Sequence, residues 1–390
     1  MASEPRPTSA VPPLLKRLNE RTVLDVVRHR APISRAEISR HAGISKPTVS
    51  VALRSLLESG LVRESAESPS GPSYGATYFE PVPEAALVLG LDLGARFLRG
   101  AICDLSGRIR ARQDVELDGA DAERALAAVV ELRDALVVAA GLPAELIDGV
   151  VVGVPGVTGA EDGTLQLAAN VPGLEGRPFA RELEASLALS VTLENDINLA
   201  ALGEQSLGVA RGVADFVFLS VGTGMGAGIV LGGELHSGRH GFAGEIDFAL
   251  EALDEDVDPS APEIAQIAAR IVREHPATEL SQPFEARAVF DAARRGDQAA
   301  RAVVAEVARR IALHLAPVAA VVDVELVVLG GGIGSNGDLL LGPVRRLLSE
   351  WLPFPPRVEV STVGEAAVLA GALAVGVRAA LDNVAVPKVA

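Results

Sequence analysis

Cysteine is almost missing from the chain: Cys103 is the only one in 390 residues. That excludes an internal disulfide and a thiolate-rich zinc site. Aromatic residues make up only 3%, so Val, Leu, Ile and Ala must fill the core. No run of about 18 uninterrupted apolar residues occurs, which argues against a membrane-spanning helix. The opening MASEPRPTSAVPP has no apolar stretch of the kind a secretion signal needs. These absences lead to the expectation of a cytoplasmic protein with no membrane partner. What is present is 49% hydrophobic and 22% charged, a globular composition. At about 150 residues per domain the length allows two or three domains.

The charge is unevenly placed. Residues 1–82 carry 11 Lys and Arg against 8 Asp and Glu, a net of +3, while the chain as a whole is at −16. An acidic body argues against nucleic-acid binding over the whole surface and permits it at the head.

The head reads as helices. Over residues 14–29, Leu15, Leu18, Leu24 and Val27 recur at mostly helical spacing. Ser34 and Glu37 have the spacing of a capping box at the start of a second helix. Gly43 supplies a sharp turn, and Ser45 is placed to cap a third helix with Pro47 in its first turn. Gly60 stops it. Two short β-prone runs follow around a Ser/Gly/Pro-rich tip. Helix, helix-turn-helix and hairpin, in that order, describe a winged helix. In such a fold the start of the recognition helix enters the major groove. Ser45, Lys46, Thr48 and Ser50 are therefore candidate DNA contacts, with Arg54 a turn further on and Arg35 and Arg40 suited to the phosphate backbone. A modest +3 calls for two heads on two half-sites, hence a homo-oligomer of at least two chains. The tip Tyr74-Gly75-Ala76-Thr77 has no arginine for a minor groove. A head that packs on a protein partner instead is the alternative.

Pro81 and Pro83 break the chain, and from residue 86 the pattern is α/β. The stretches 88–105 and 216–232 echo each other as strand, glycine turn, strand, which suggests a duplicated ATPase-like lobe.

The motifs SRAEISRHAGISKPTVS, VLGLDLG, GVPGVTG, AANVPGLEG, LENDINLAALGE, VGTGMGAGIVLGGEL, GRHGFAGEI and VVLGGGIGSNGDLL occur in this order. Together they resemble the ROK family (repressor, open reading frame, kinase) over roughly residues 14 to 380. The resemblance implies a winged helix-turn-helix over 1–82 and, over 83–390, a two-lobed actin-like body of the sugar kinase/hsp70 type. It makes Asp196 the base of a kinase, since a carboxylate at a strand end can take a sugar hydroxyl's proton during phosphoryl transfer. The alternative for Asp196 is a helix cap. The same resemblance puts Gly156, Asn170, Asn195, Asp196 and Glu245 around a sugar. It puts Asp92, Gly94, Gly222, Thr223, Gly224, Gly330, Gly331 and Gly332 around a nucleotide, where backbone N–H groups can meet phosphates. His240 reads as a loop residue.

Three departures bear on activity. The family's Asp-x-Gly-x-Thr phosphate motif is Asp92-Leu93-Gly94-Ala95-Arg96 here, with a long cation for a small hydroxyl. Its Gly-His after Gly-Glu-Ile is Asp247-Phe248, and that histidine serves sugar and zinc in the kinases. Its cysteine-rich zinc loop is replaced by LEALDEDVDPSAPEIAQ, whose Asp254, Glu255, Asp256 and Asp258 read as a solvated acidic loop, with Glu263 as a stand-in for a lost sugar ligand. The expectation is a ROK-type transcriptional regulator of carbohydrate metabolism, a repressor, with kinase activity weakened or lost. Its partners are operator DNA and a sugar or sugar-derivative effector. It needs no cofactor and no structural zinc, and ATP with magnesium only if kinase activity survives. The alternatives are an ATP-dependent sugar kinase with an accessory head, and an interaction protein without a ligand.

Overall fold

The computed structural model describes residues 11–66, 76–117, 121–158, 164–167, 171–249 and 257–384. The head comprises α1 (Val11–Arg30), β1 (Ile33–Ser34), α2 (Arg35–Ala42), α3 (Lys46–Glu58), β2 (Val62–Glu64) and β3 (Tyr78–Pro81). Its strands pair antiparallel in the order β1-β3-β2. The expected capping box forms: Glu37 N donates to Ser34 Oγ at 3.5 Å, and Ser34 N to Glu37 Oε2 at 2.9 Å. That hydrogen bonding holds the Glu37 carboxyl below its ordinary pKa. Gly43 turns the chain at φ +68°, and Ser45 Oγ caps α3 through Thr48 N at 3.4 Å. Val23, Leu24, Val27, Ile38, Val49, Leu53, Leu56, Leu61 and Phe79 close the head's core.

The apolar face expected of α1 is corrected in its first half. Leu15 and Leu18 are 49% and 58% exposed, and Val23 takes their place beside Leu24 and Val27. The helix has 20 residues against 8 in α2 and 13 in α3, so its first turns outrun the elements that could cover them. The wing residues Tyr74 and Gly75 lie outside the described residues.

The body holds two five-stranded sheets. The first is built from β4 (Leu87–Leu93), β5 (Phe97–Asp104), β6 (Ile109–Glu116), β7 (Ile147–Val154) and β10 (Val191–Asn195), in the order β10-β7-β4-β5-β6. Helices α4 (Ala122–Ala140) and α5 (Phe179–Leu187) accompany it, and β8 (Val157–Thr158) pairs with β9 (Leu165–Gln166) beside it. Helix α6 (Asp196–Leu207) leads to the second sheet, β11 (Phe216–Val221), β12 (Met225–Leu231), β13 (Glu234–Leu235), β14 (Leu326–Gly330) and β15 (Arg357–Val360), in the order β13-β12-β11-β14-β15. Both sheets combine an antiparallel opening hairpin with two parallel strands added on one side and one antiparallel strand on the other. The echo between 88–105 and 216–232 is thus a repeat of topology. Helices α7 (Ala261–Glu274), α8 (Ala286–Arg295), α9 (Gln298–Val322), α10 (Gly331–Gly334) and α11 (Gly337–Trp351) complete the second lobe.

Helix α12 (Ala367–Val384) returns to the first lobe and packs on α6, β4, β5 and β7. The helices cross at glycines: a Cβ at Gly203 would lie 2.1 Å from Ala367 O, and one at Gly371 1.9 Å from Leu199 O. Only hydrogen permits that approach. The far end of α12 also enters the head, since Leu373, Ala380 and Leu381 share one cluster with Val27, Leu56 and Phe79. Arg21 pairs with Asp382 there, and Arg28 Nη2 donates to Leu105 O at 2.7 Å. Gly364–Asn383 is, among the described residues, the segment long and apolar enough to cross a membrane; here it serves as a core helix.

Candidate functional sites

Helix α3 buries Val49, Ala52, Leu53 and Leu56, which turns Lys46, Pro47, Val51 and Arg54 outward. Ser45 is exposed, while Thr48 and Ser50 are half-buried. Their hydroxyls already have partners: Ser45 Oγ meets Thr48 Oγ1 at 2.8 Å, and Ser50 Oγ donates to Lys46 O at 2.8 Å. A hydroxyl keeps further acceptor capacity, so a phosphate or base edge can still be engaged through rotation. Arg35 and Arg40 are exposed on α2. The expected DNA-facing cations Arg35, Arg40, Lys46 and Arg54 are therefore all solvent-exposed, with no acidic side chain in an ion pair with Lys46 or Arg54 among the described residues.

In the body, the carboxyl ends of β4, β7 and β10 lie side by side, the usual location of a ligand on a parallel sheet. Asp92 is the next-to-last residue of β4, Gly156 follows β7 at φ +94°, and Asn195 ends β10. Asn195 caps α6, its Oδ1 accepting from Ile197 N at 2.9 Å and Asn198 N at 3.0 Å. Its Nδ2 donates to Gly156 O at 2.9 Å. Three of the four hydrogen-bonding positions of that amide are thus occupied, and one N–H remains for a ligand. The cap is Asn195, while Asp196 Oδ1 also accepts from Ile197 N at 2.8 Å. It opens α6 as a half-buried carboxylate. Glu194 braces the turn, accepting from Asn195 N and Asn198 Nδ2, both at 2.9 Å.

Three carboxyls share the cleft's field. Burial, then the negative charges of Asp92 and Glu245, push Asp196 up to about 7. Burial raises Asp92 to about 6, with the Arg99 cation opposing it. Burial and then Asp247 raise Glu245. A carboxylate poised near neutrality suits acceptance of a hydroxyl proton. Asp92, however, is not free: Arg99 Nη1 is 3.2 Å from its Oδ2, and Arg99 also reaches Glu365 at 3.4 Å and lies 5.3 Å from the Phe97 ring centre. Sequence reasoning missed Arg99. The signal was a single cation inside the apolar run FLRGAICD. Arg96 stands exposed at the hairpin tip, 5.8 Å from the same ring.

The glycines of the second lobe divide by role. Gly331 has φ +77° and a Cβ there would lie 2.4 Å from Val221 O; one at Gly330 would lie 2.2 Å from the Phe218 ring. These two answer packing needs. Gly222 N is already donated to Gly224 O at 2.9 Å. Gly222, Thr223 and Gly332 line a cavity of about 680 Å³ together with Phe290, Arg287, Arg294 and Asn336. It contains none of the three carboxyls. In the first lobe Gly94 N closes the hairpin onto Phe97 O at 3.0 Å.

Asn170 lies outside the described residues, as do Asp254, Glu255 and Asp256. Asp258 accepts from Ser260 N at 2.8 Å and Ser260 Oγ at 2.7 Å, while Arg310 Nη1 donates to Asp258 O at 2.6 Å. A buried cation thus anchors the segment that replaces the family's zinc loop. Glu263 sits in the first turn of α7 and accepts from Gln266 Nε2 at 2.8 Å. His240 is exposed in a loop.

A winged helix joined to a duplicated α/β body with carboxyls at its strand ends is the architecture of sugar-kinase-like proteins that carry a DNA-binding head. Residues 88–381 match the ROK family and residues 15–70 the MarR family. The chain belongs to the ROK family. A putative xylose repressor from Caldicellulosiruptor sp. (strain Rt8B.4) is 26% identical over 382 residues, 93% of this chain and 96% of that protein. The crystal structure of a ROK family transcriptional regulator, a homolog of the E. coli MLC protein, superposes with a TM-score of 0.78 at 22% identity, over 95% of this chain and 98% of that one. A ROK hexokinase from Thermus thermophilus gives 0.62 at 28% identity, over 76% of this chain and 99% of its own. The kinase matches the body, and the regulator matches head and body together.

Proposed function

We propose that the chain is a sugar-responsive transcriptional regulator that binds operator DNA through α2 and α3, as a homodimer in the cytoplasm, and has lost most phosphoryl transfer. The observation that carries this is the Asp92–Arg99 pair in a body that bears a cationic recognition helix. In the family's kinases the matching carboxylate serves the phosphate site, and here a protein cation is bonded to it. Sugar recognition is assigned to Asp196, Glu245, Asn195 and Gly156. This reading calls for neither ATP with magnesium nor a structural zinc; the segment in the zinc loop's place is instead anchored by the bond of Arg310 to Asp258 O.

Ligand closing the cleft reaches the head through α12. Arg99 contacts Glu365 just before this helix, and Asp382 near its end pairs with Arg21. Regulation requires unequal effector affinity in the DNA-competent and incompetent states, and a coupling of about 1–3 kcal/mol gives a 5- to 150-fold response.

The test is fluorescence anisotropy of the whole chain on its own upstream intergenic DNA and on scrambled DNA, at fixed salt, with and without a sugar panel. The relative named as a putative xylose repressor puts xylose first in that panel. Preference for the intergenic sequence, shifted by one sugar, is expected. Equal weak binding to both DNAs moves the case to the second reading, a sugar kinase, which the near-neutral Asp196 favours. Sugar-dependent ADP release, abolished in Asp196→Asn, would establish it.

A further inference from the structure

Phe242 and Phe248 are 45% and 44% exposed, although Phe79, Phe179, Phe216 and Phe290 are all buried to 2% or less. Their ring centres are 5.3 Å apart and the planes are tilted by 53°. The segment bearing them is rigidly placed. Gly244 has φ +105° and a Cβ there would lie 1.8 Å from Ala227 O, while Gly244 O accepts from Ala227 N at 2.8 Å. Ile246 is buried in the second lobe's core. Glu245 N donates to Phe242 O at 3.3 Å.

Residues Ile246–Ala249 form a 3-10 turn, in which side chains three apart eclipse. Glu245 directly precedes the turn and its N–H is bonded to Phe242 O, so the Phe242–Phe248 ring pair sits beside Glu245. A Cβ at Gly226 would lie 2.6 Å from Ile197 Cδ1 and 3.9 Å from Gly244 O, which sets this segment against the start of α6, where Asp196 stands. The buried Ile246 points the other way. An aromatic pair thus adjoins two carboxyls, one apolar surface beside two strong acceptors.

A pyranose has this two-sided chemistry, with hydroxyls around its edge and C–H bonds on its faces. The negative face of an aromatic ring attracts such weakly positive hydrogens. We infer that Phe248, backed by Phe242, is a stacking platform for the C–H face of a pyranose whose edge hydroxyls are held by Glu245 and Asp196. The class of ligand is a pyranose with no axial hydroxyl on the stacked face, because such a group would stand into the ring. This rests on the reading of the cleft as an effector site.

The test titrates the whole chain with xylose, glucose, galactose, mannose and their methyl β-pyranosides by calorimetry, for wild type, Phe248→Ala, Phe248→Trp and Asp196→Asn. For the sugar that binds, Phe248→Ala raises Kd about tenfold, the scale of one aromatic contact. Phe248→Trp retains binding, which shows that an aromatic face suffices and that the alanine variant did not fail by misfolding. Saturation-transfer NMR marks the C–H protons of one ring face in wild type and loses that pattern in Phe248→Ala. An unchanged Kd in Phe248→Ala, with binding lost in Asp196→Asn, overturns the platform and leaves the effector site standing. No binding by any member of the panel overturns both.

Discussion

The two lobes share a sheet topology and differ at the hairpin tip where each opens toward the cleft. In the first lobe the tip is Gly94-Ala95-Arg96. There a Cβ on Gly94 would meet only Phe97 O, at 3.5 Å, and a long cation stands in solvent. In the second, Gly222, Thr223 and Gly332 line a cavity, and Gly331 allows no side chain. A duplicated fold therefore keeps its glycines for two reasons. In the second lobe packing demands Gly330 and Gly331 whatever the activity, while Gly222, Gly224 and Gly332 have room for a Cβ. In the first, a cation stands at the tip, and Asp92 near the strand end is paired with Arg99.

Four substitutions can break or sharpen this contrast. Gly331→Ala combines a left-handed backbone with a backbone clash and should cost about 3–5 kcal/mol, read as a fall in the denaturant midpoint. If it is tolerated like a surface change, the packing account of the second lobe is wrong. Arg99→Met strands a buried Asp92 and should cost about 2–3 kcal/mol at pH 8. At pH 5 the loss should shrink, because Asp92, raised to about 6, is then largely protonated. Equal losses at both pH values would deny the pair its role. Asp196→Asn should stabilise at pH 8. A carboxyl raised to about 7 binds its proton more tightly in the fold than in the unfolded chain, so its contribution is present at low pH and is lost as pH rises through 7. The gain, after allowance for partial exposure, is about 1–2 kcal/mol at pH 8, and thermal melts at pH 5 and 8 should show it clearly smaller at pH 5, because the loss runs from the unfolded carboxyl's pKa up to about 7. Gly94→Ala should change stability by less than about 1 kcal/mol. For the head, Lys46→Ala should lower DNA affinity and reduce the salt slope by about one if Lys46 meets a phosphate. An unchanged slope rejects that contact.

Much of this was readable before any coordinates. Capping residues declare themselves locally, as Ser34, Glu37 and Ser45 did, because the bonds close within one turn. The strand-turn-strand echo was visible because both hairpins are buried on two faces and read as apolar runs around glycine. The motifs of Asp196 and Glu245 were legible, and the structure brings the two carboxyls into one field. Leu15 and Leu18 were misplaced because spacing gives the face of a helix but not the length of its neighbours. Arg99 and the Phe242–Phe248 pair escaped for a related reason: what a side chain touches across 7 residues or 266 is set by tertiary approach, as in the bonds of Arg99 to Asp92 and Glu365.

The shared cluster of α12 and the head has a thermodynamic consequence. The chain was divisible at residue 82 on sequence grounds, yet Leu381 and Ala380 complete a core that Val27 and Phe79 begin. Cutting there exposes both halves of one hydrophobic surface. Calorimetry of the whole chain should therefore show head and first lobe melting as a single cooperative unit, with no early transition belonging to the head. An isolated 1–82 fragment should exchange its amide hydrogens far faster than the same residues do in the full chain.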